Sequence, residues 1–324
     1  ESSGMIDILA PREVGERHSS RFEGVDPGGA RDELSAGSRL KGIDVTTYAY
    51  SLARALETMA QRAGHPPDAR RWRLVRERVA TALRSRMWDA GVEMFSDVDP
   101  SSGGRTGVKS AHAFYPYATD IAEAHHVPGL ERHLLDPAEF WTPFPVPVIA
   151  LDDPFFSAYG EWKGQRRSQP WNGRVWASVN SSVMDALAYA AIAHAPVLRE
   201  EAALLLQRFV RMMFHDGDLG RPNAYEHYNP QRGQASVYRG LDDVQRSWVA
   251  DHIISYVMGI RPHDGGITVD PFPFGLERAE ITRVRARGRA LEVRIAGSRV
   301  LVTVDGATRE TSLGEPIESP DSAP

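Results

Sequence analysis

The sequence predicts a mainly helical body followed by a small antiparallel β module, and three observations predict it. Apolar residues recur at helical spacing between Asp44 and Met258. The helices so marked fall into pairs, and each pair is separated from the next by a long irregular loop. Beyond Pro262 the period changes from that of a helix to that of a strand, with glycine-containing turns between short runs.

Residues 1–42 read as an irregular segment of Gly, Pro, Ser and charge, longer than ordinary connections in compact domains. Val45, Tyr48, Leu52, Leu56 and Met59 then share one helical face, and the Gly64, His65, Pro66 run stops that helix. A second helix is expected from about Asp68 to Met87, with Trp72, Val75, Val79 and Leu83 on its apolar side. Residues 88–107 are rich in turn formers, and a third helix is expected over Ala111–His125. Residues 129–170 form a loop rich in proline and aromatics. Helices resume at Ser178–His194 and Val197–His215, joined at Pro196; loop 216–240 follows, and a last helix covers about Asp242–Met258. Ile267–Asp270, Ala279–Val284, Ala290–Ile295 and Arg299–Val304 alternate as strands, with turns at Arg287-Gly288 and Ala296-Gly297. The tail from Pro316 is Pro, Ser and acid and is expected to be disordered. The expected division is therefore a helical domain over 1–262, a β module over 263–315 and a tail over 316–324.

Composition narrows the function classes. With 42% hydrophobic and 25% charged residues among 324, the chain is of ordinary globular type. A net charge of −5 supplies no field toward nucleic acid or anionic lipid, so neither partner is expected. No apolar run is long enough to span a membrane. The absence of cysteine removes disulfides, thiolate metal sites and cysteine nucleophiles together. The chain opens at Glu1 with no leader pattern, so it is expected to start inside a longer polypeptide or after processing.

Three stretches carry chemistry. Asn223, Tyr225, Glu226, His227, Tyr228, Asn229 and Pro230 place one carboxylate among aromatics and amides in a loop between helices. An apolar surround there would raise the basicity of the carboxylate, whereas the ordinary alternative is a solvated loop Glu. Trp171, Asn172, Gly173, Arg174, Val175, Trp176 and Asn180 lead into a helix. Indole faces suit the apolar side of a sugar ring, and Asn and Arg supply donors to hydroxyls; the alternative is two core tryptophans with a capped helix. The third stretch, Glu1 to Asp7, is by itself an Asp in a Gly-Ser turn. Other patterns fail. The Asp97, Asp99, Gly103 run lacks the terminal Glu of a calcium loop, no HExxH, GxGxxG or phosphate loop occurs, and the serines sit in no nucleophile elbow. No metal and no cofactor is expected.

Together these stretches resemble the inverting (α/α)6-barrel glycoside hydrolases: the trehalases of family 37 and the glucosidase and mannosylglycerate-hydrolase group of family 63. Trp171 to Asn180 is similar to the family's W-R-G-P-x-W-P-x-x-N stretch, with Asn172 and Arg174 in place of its Arg and Pro. Glu226 to Pro230 matches its E-x-Y-(N/D)-P loop, followed by Ser247-Trp248. Ser3, Gly4, Met5, Ile6 and Asp7 resemble the S-G-W-D loop with one inserted residue. Ile43-Asp44-Val45-Thr46 looks like V-D-L-N, and Trp88-Asp89 with Phe95-Ser96-Asp97 like the W-D…F-x-D connector.

The resemblance implies an all-α (α/α)6 toroid with the β module appended. It also implies hydrolysis of an α-glycosidic bond with inversion, Asp7 as general acid and Glu226 as general base. Trp171, Trp176 and Tyr228 would form the sugar platform and Arg174 a hydroxyl or carboxylate clamp, with Asn180, Tyr225 and His227 completing the contacts. The ring needs about twice the helices counted here, so this chain is expected to supply its second half. An upstream segment or second chain would complete it. Two other readings stay open. One is another (α/α)6 enzyme, such as a rhamnosidase or debranching-type glucosidase. The other is a non-catalytic sugar-binding or assembly subunit.

Overall fold

The computed structural model describes residues 3–16, 19–25, 39–158, 170–214, 217–235 and 246–320. The opening segment is stapled at its ends: β1 (Asp7–Ile8) pairs antiparallel with β2 (Leu40–Lys41), and α1 (Ile43–Arg62) starts directly afterwards. Gly64, with φ +69°, turns the chain out of α1 as the sequence predicts. α2 (Pro66–Ala82) then packs back along α1 and widens into a π turn over Leu83–Met87. A short hairpin of β3 (Trp88–Asp89) and β4 (Met94–Phe95) follows.

Two expectations in the next stretch are corrected. Ala111–Ala118 is a buried 3-10 segment rather than the start of a long helix, because Pro116 removes an amide donor inside it. The helix lies later, as α3 (Val127–Leu134), running into what the sequence marks as the loop over 129–170. β5 (Val175–Trp176) leads into α4 (Ala177–Ala193), and α5 (Arg199–Met212) packs against it. α4 is buried on nearly every side, which its run of Ala and Ser permits by letting neighbours approach closely. β6 (His227–Tyr228) follows in the loop beyond α5. Of the last expected helix, residues 242–245 lie outside the described residues; α6 (Val249–His252) continues as a π turn over Ile253–Val257. Among the described residues no helix is long and apolar enough to cross a membrane.

The C-terminal module is two packed sheets. β7 (Ile260–His263), β8 (Gly266–Val269) and β13 (Ile317–Pro320) form one, in the order β13-β8-β7. β9 (Arg278–Ala286), β10 (Arg289–Ala296), β11 (Arg299–Val304) and β12 (Ala307–Ser312) form the other as an antiparallel meander. Ile260, Ile267, Val269, Leu291, Val293, Val300 and Val302 fill the space between them. The tail from Pro316 is thus corrected: Ile317 pairs with Val269, and only residues 321–324 lie outside the described residues. Arg199 at the start of α5 locks the module to the helices, reaching both carboxylate oxygens of Asp270 at 2.8 and 2.6 Å, while Arg261 reaches one at 2.7 Å. Burial alone would push Asp270 up, but these two cations hold its carboxyl below the usual value.

Candidate active site

The two richest motifs of the sequence meet in a two-strand ladder. Val175 pairs with Tyr228 and Trp176 with His227, so the stretch leading into α4 and the loop of Glu226 form one structural unit. Gly173 makes the approach possible. At φ +148° a Cβ there would lie 2.7 Å from the Phe156 ring and 2.8 Å from the Ser157 carbonyl. Asn229 closes the loop, its Oδ1 accepting the amides of Gln231 and Arg232 at 2.9 and 3.1 Å around Pro230.

The indoles of Trp171 and Trp176 stack, 3.8 Å between centroids and 8° from parallel. Trp176 is buried between Trp171 and His227, whose ring lies 4.9 Å away, and Trp171 is the more exposed indole of the stack. Arg174 is buried and braces the site. Its Nε donates to His227 Nδ1 at 2.8 Å, its Nη1 to the Ala158 carbonyl and its Nη2 to the Gln234 carbonyl. Burial and the adjacent Arg174 cation push His227 down to about 3, so the ring is neutral, with its proton on Nε2 because Nδ1 is accepting. Glu226 is half-buried; desolvation raises its carboxyl above the ordinary value, and the positive charge of Arg246 offsets part of that rise.

Besides the buried Arg174 and Trp176, which support the site rather than face a sugar, two further expected substrate contacts are corrected. Tyr228 has no exposed surface; its hydroxyl accepts the Tyr225 amide at 2.7 Å and donates to the Asn223 carbonyl, which fixes the loop's path. Asn180 is also buried, its Nδ2 donating to the carbonyls of Val146 and Trp176 at 2.9 and 3.0 Å. Both shape the site from behind. Tyr225 stays half-buried at its edge, its ring meeting that of Tyr228 edge-on.

Asp7 lies in β1 opposite Lys41, and its Oδ1 is 2.7 Å from the Lys41 ammonium. The loop holding it is tied to the start of α1: the Ile6 amide donates to Thr46 Oγ1, and the Gly42 amide to the Ile6 carbonyl. Beside this tie sits a cluster that sequence reading missed. Arg21, fully buried, reaches Glu16 at 2.7 Å, Asp44 at 2.9 Å and Asp97 at 2.9 Å, and Glu16 also meets His112 Nε2 at 3.1 Å. Burial would push Asp44 up, but the guanidinium holds its carboxyl down at about 2. Asp44 and Asp97 each stood in a family-like stretch; Arg21 carried no signal, because its partners are scattered from position 16 to 97. One ligand atom each from Glu16, Asp44 and His112 lie within 4.8 Å of one another, a spacing that could hold a metal. Arg21 already supplies the cation of this cluster. The amide of Ser20 donates to Asn172 Oδ1 at 2.8 Å, which joins the cluster to the tryptophan stretch.

Comparison with known proteins places this arrangement. The family profile described as the mannosylglycerate hydrolase MGH1-like glycoside hydrolase domain matches residues 1–247. Among solved structures, a sialidase is similar with TM-score 0.71 and 18% identity, over 83% of this chain and 26% of its own. The family 63 mannosylglycerate hydrolase of Thermus thermophilus, in complex with glucose, is similar with TM-score 0.56 and 19% identity, over 78% of this chain and 62% of its own. Neutral trehalase of Saccharomyces cerevisiae is similar with TM-score 0.50 and 17% identity, over 69% of this chain and 38% of its own. The chain thus spans about a quarter of the sialidase and under two thirds of the mannosylglycerate hydrolase. The hydrolase and trehalase neighbours are of (α/α)6 type, so the helical body shares that fold.

Proposed function

We propose, from the premise that this chain belongs to the mannosylglycerate hydrolase MGH1-like glycoside hydrolase family, that it cleaves an α-glycosidic bond with inversion at the anomeric carbon. The carrying observation is the β5–β6 ladder. It sets the half-buried carboxylate loop of Glu226 against the stacked tryptophans. Glu226 is the proposed general base, deprotonating a water that attacks from the face opposite the departing oxygen. Asp7 is the proposed general acid, protonating that oxygen. Inversion needs the two carboxyls about 6.5–9.5 Å apart, leaving room for the water. Trp171 and Tyr225 are the proposed sugar contacts. His227, Arg174, Trp176, Asn180 and Tyr228, all buried, hold them in position.

The ring reading is part of the same proposal. The helical body before β7 forms the C-terminal half of an (α/α)6 barrel, and the two sheets of residues 260–320 are an appended module. Tyr48, Leu52 and Met59 support it: they lie on one face of α1 and are 53%, 60% and 64% exposed, as on a helix that lacks its neighbour. Helices from an upstream segment or second chain would cover them.

The test is turnover of mannosylglycerate, trehalose and other α-glucosides by the chain together with whatever completes its ring, with proton NMR of the first-formed sugar. A β-anomer released from an α-glycoside supports the reading, and an α-anomer sinks it. Glu226→Gln should lose about 10²–10⁴ in turnover while still binding sugar. Azide should partly restore the reaction, giving an inverted glycosyl azide. The ion pair of Asp7 with Lys41 favours a second reading, a sugar-binding subunit without turnover, because a neighbouring ammonium favours carboxylate over carboxylic acid. Saturable sugar binding with no hydrolysis in the completed assembly would select it.

A further inference from the structure

Behind the loop of Glu226 lies a cavity of about 900 Å³, large enough for a sugar-sized ligand. The C-terminal turns of α5 wall one side, and residues 232–235 with Phe144 wall the other. Arg208 and Arg211 stand one helical turn apart on α5, and Arg232 faces the cavity from the loop. Among the described residues lining it there is no carboxylate.

Arg208 is the informative member. It is half-buried, its Nη1 donates to the Thr142 carbonyl at 3.1 Å, and its guanidinium lies 5.1 Å from the Trp141 ring centroid. Burial holds it below its ordinary value, with no acid acting against that. Four other sheltered arginines are neutralised by carboxylates: Arg21 by Glu16, Asp44 and Asp97, Arg76 by Glu57, and Arg199 and Arg261 by Asp270. A desolvated guanidinium without a counter-charge is costly unless something supplies one. Here two further guanidinium groups border the same space, which concentrates positive charge where an anion can enter.

We propose that this cavity is an oxyanion-binding site that takes a phosphate or sulfate group. Arg208 and Arg211 hold the group from the helix and Arg232 from the loop, the guanidinium forks pairing with its oxygens. Glu226 is not among the described residues that line the cavity. The cavity touches the same loop from behind, since Gln234 lines it while its carbonyl accepts Arg174. The group comes either as a free inorganic anion or as an ester on a sugar.

The test is calorimetric titration of the full chain with inorganic phosphate, sulfate and glucose 6-phosphate, with ionic strength held constant by sodium chloride. Saturable single-site binding is expected, weakened at least tenfold in Arg208→Gln and again in Arg211→Gln, and unchanged in Arg294→Gln on the exposed face of β10. Arg211 is exposed, so its variant folds even where loss of Arg208 disturbs the packing on Trp141. Glucose 6-phosphate binding at least tenfold tighter than phosphate assigns the site to a sugar-borne group, and equal affinity assigns it to the free anion. Absence of saturable binding by all three, or binding that survives both variants, overturns the proposal.

Discussion

The amide oxygen of Asn172 accepts the backbone N–H of Ser20 at 2.8 Å, between residues 152 positions apart, and both residues are buried. This bond couples the segment of Arg21 to the stretch that carries the tryptophan stack. Asn172→Ala would bury the Ser20 amide without that acceptor, at a cost of about 1–3 kcal/mol. Urea unfolding should show the loss, and Asn172→Asp, which keeps an acceptor, should recover part of it. Equal midpoints for Asn172→Ala and the parent chain would mean that the two segments are held together by packing alone.

Stability should fall in two stages as the solution is acidified. His227 has its ordinary value near 6.5 in the unfolded chain but about 3 when folded, so below about pH 6.5 the unfolded state takes up a proton that the folded state refuses. That group alone makes stability decline by up to about 1.4 kcal/mol per pH unit. Asp44, at about 2 when folded against 3.8, keeps its stabilising charge above about pH 4 and loses it between 4 and 2, and Glu16 and Asp270 are lowered in the same sense. Denaturant midpoints at pH 7, 5.5, 4.5 and 3.5 should fall throughout, and His227→Gln should make the first stage shallower without abolishing it, because burial and the neighbouring His125 hold His126 down to about 4 as well. A midpoint that rises between pH 7 and 5 in the parent chain would contradict the buried neutral imidazole.

The helices α2 and α5 were legible because each buries one face against a neighbour, which imposes the 3.6 period on Val79 and Leu205, whereas the apolar stripe that marked α1 lies exposed at Tyr48, Leu52 and Met59 while Ile43, Thr47, Tyr50 and Ala53 face the core. The Ala111–Ala118 segment was not, since its aromatic run is buried on all sides and shows no period, and Pro116 shortens it. β12 escaped because Ala307–Ser312 is an edge strand of Thr, Arg and Glu, where solvent asks for no alternation. At the site, Glu226 and the tryptophans could be read from local context. Tyr228 and Asn180 were read as sugar contacts because residue type does not disclose which side of a loop a side chain takes. The Arg21 cluster is a purely tertiary object, and no window of sequence contains it.

Leu52 and Met59 should govern self-association of the isolated chain. Apolar side chains in a stripe with Tyr48 on α1 stabilise any contact that covers them, at roughly 25 cal/mol per Å² of apolar area. The 324-residue chain by itself should therefore associate at micromolar concentration, and Leu52→Glu with Met59→Glu should make it monodisperse by sedimentation. The same pair of substitutions should abolish turnover where further helices complete the ring. A parent chain that is monomeric and unfolds in one cooperative step would show that the stripe needs no partner.

Lys41 should set the alkaline limit of activity if Asp7 is the proton donor. The donor must hold a proton when substrate is bound, and an ammonium 2.7 Å away favours losing it. Lys41→Met removes that charge, so Asp7 keeps its proton to higher pH and the alkaline limb of kcat/KM should move upward by about 1–3 pH units. The acidic limb, which follows ionisation of Glu226, should stay in place. Asp7→Asn should lose turnover of ordinary glycosides but retain it for glycosyl fluorides, whose leaving group needs little protonation. These two variants separate chemistry from scaffolding. Were Lys41 only the cross-strand partner that steadies β1 against β2, its loss would lower activity at every pH and leave both limbs where they were. Asp7 would then be a structural residue, and the proton for the leaving group would have to come from another acid.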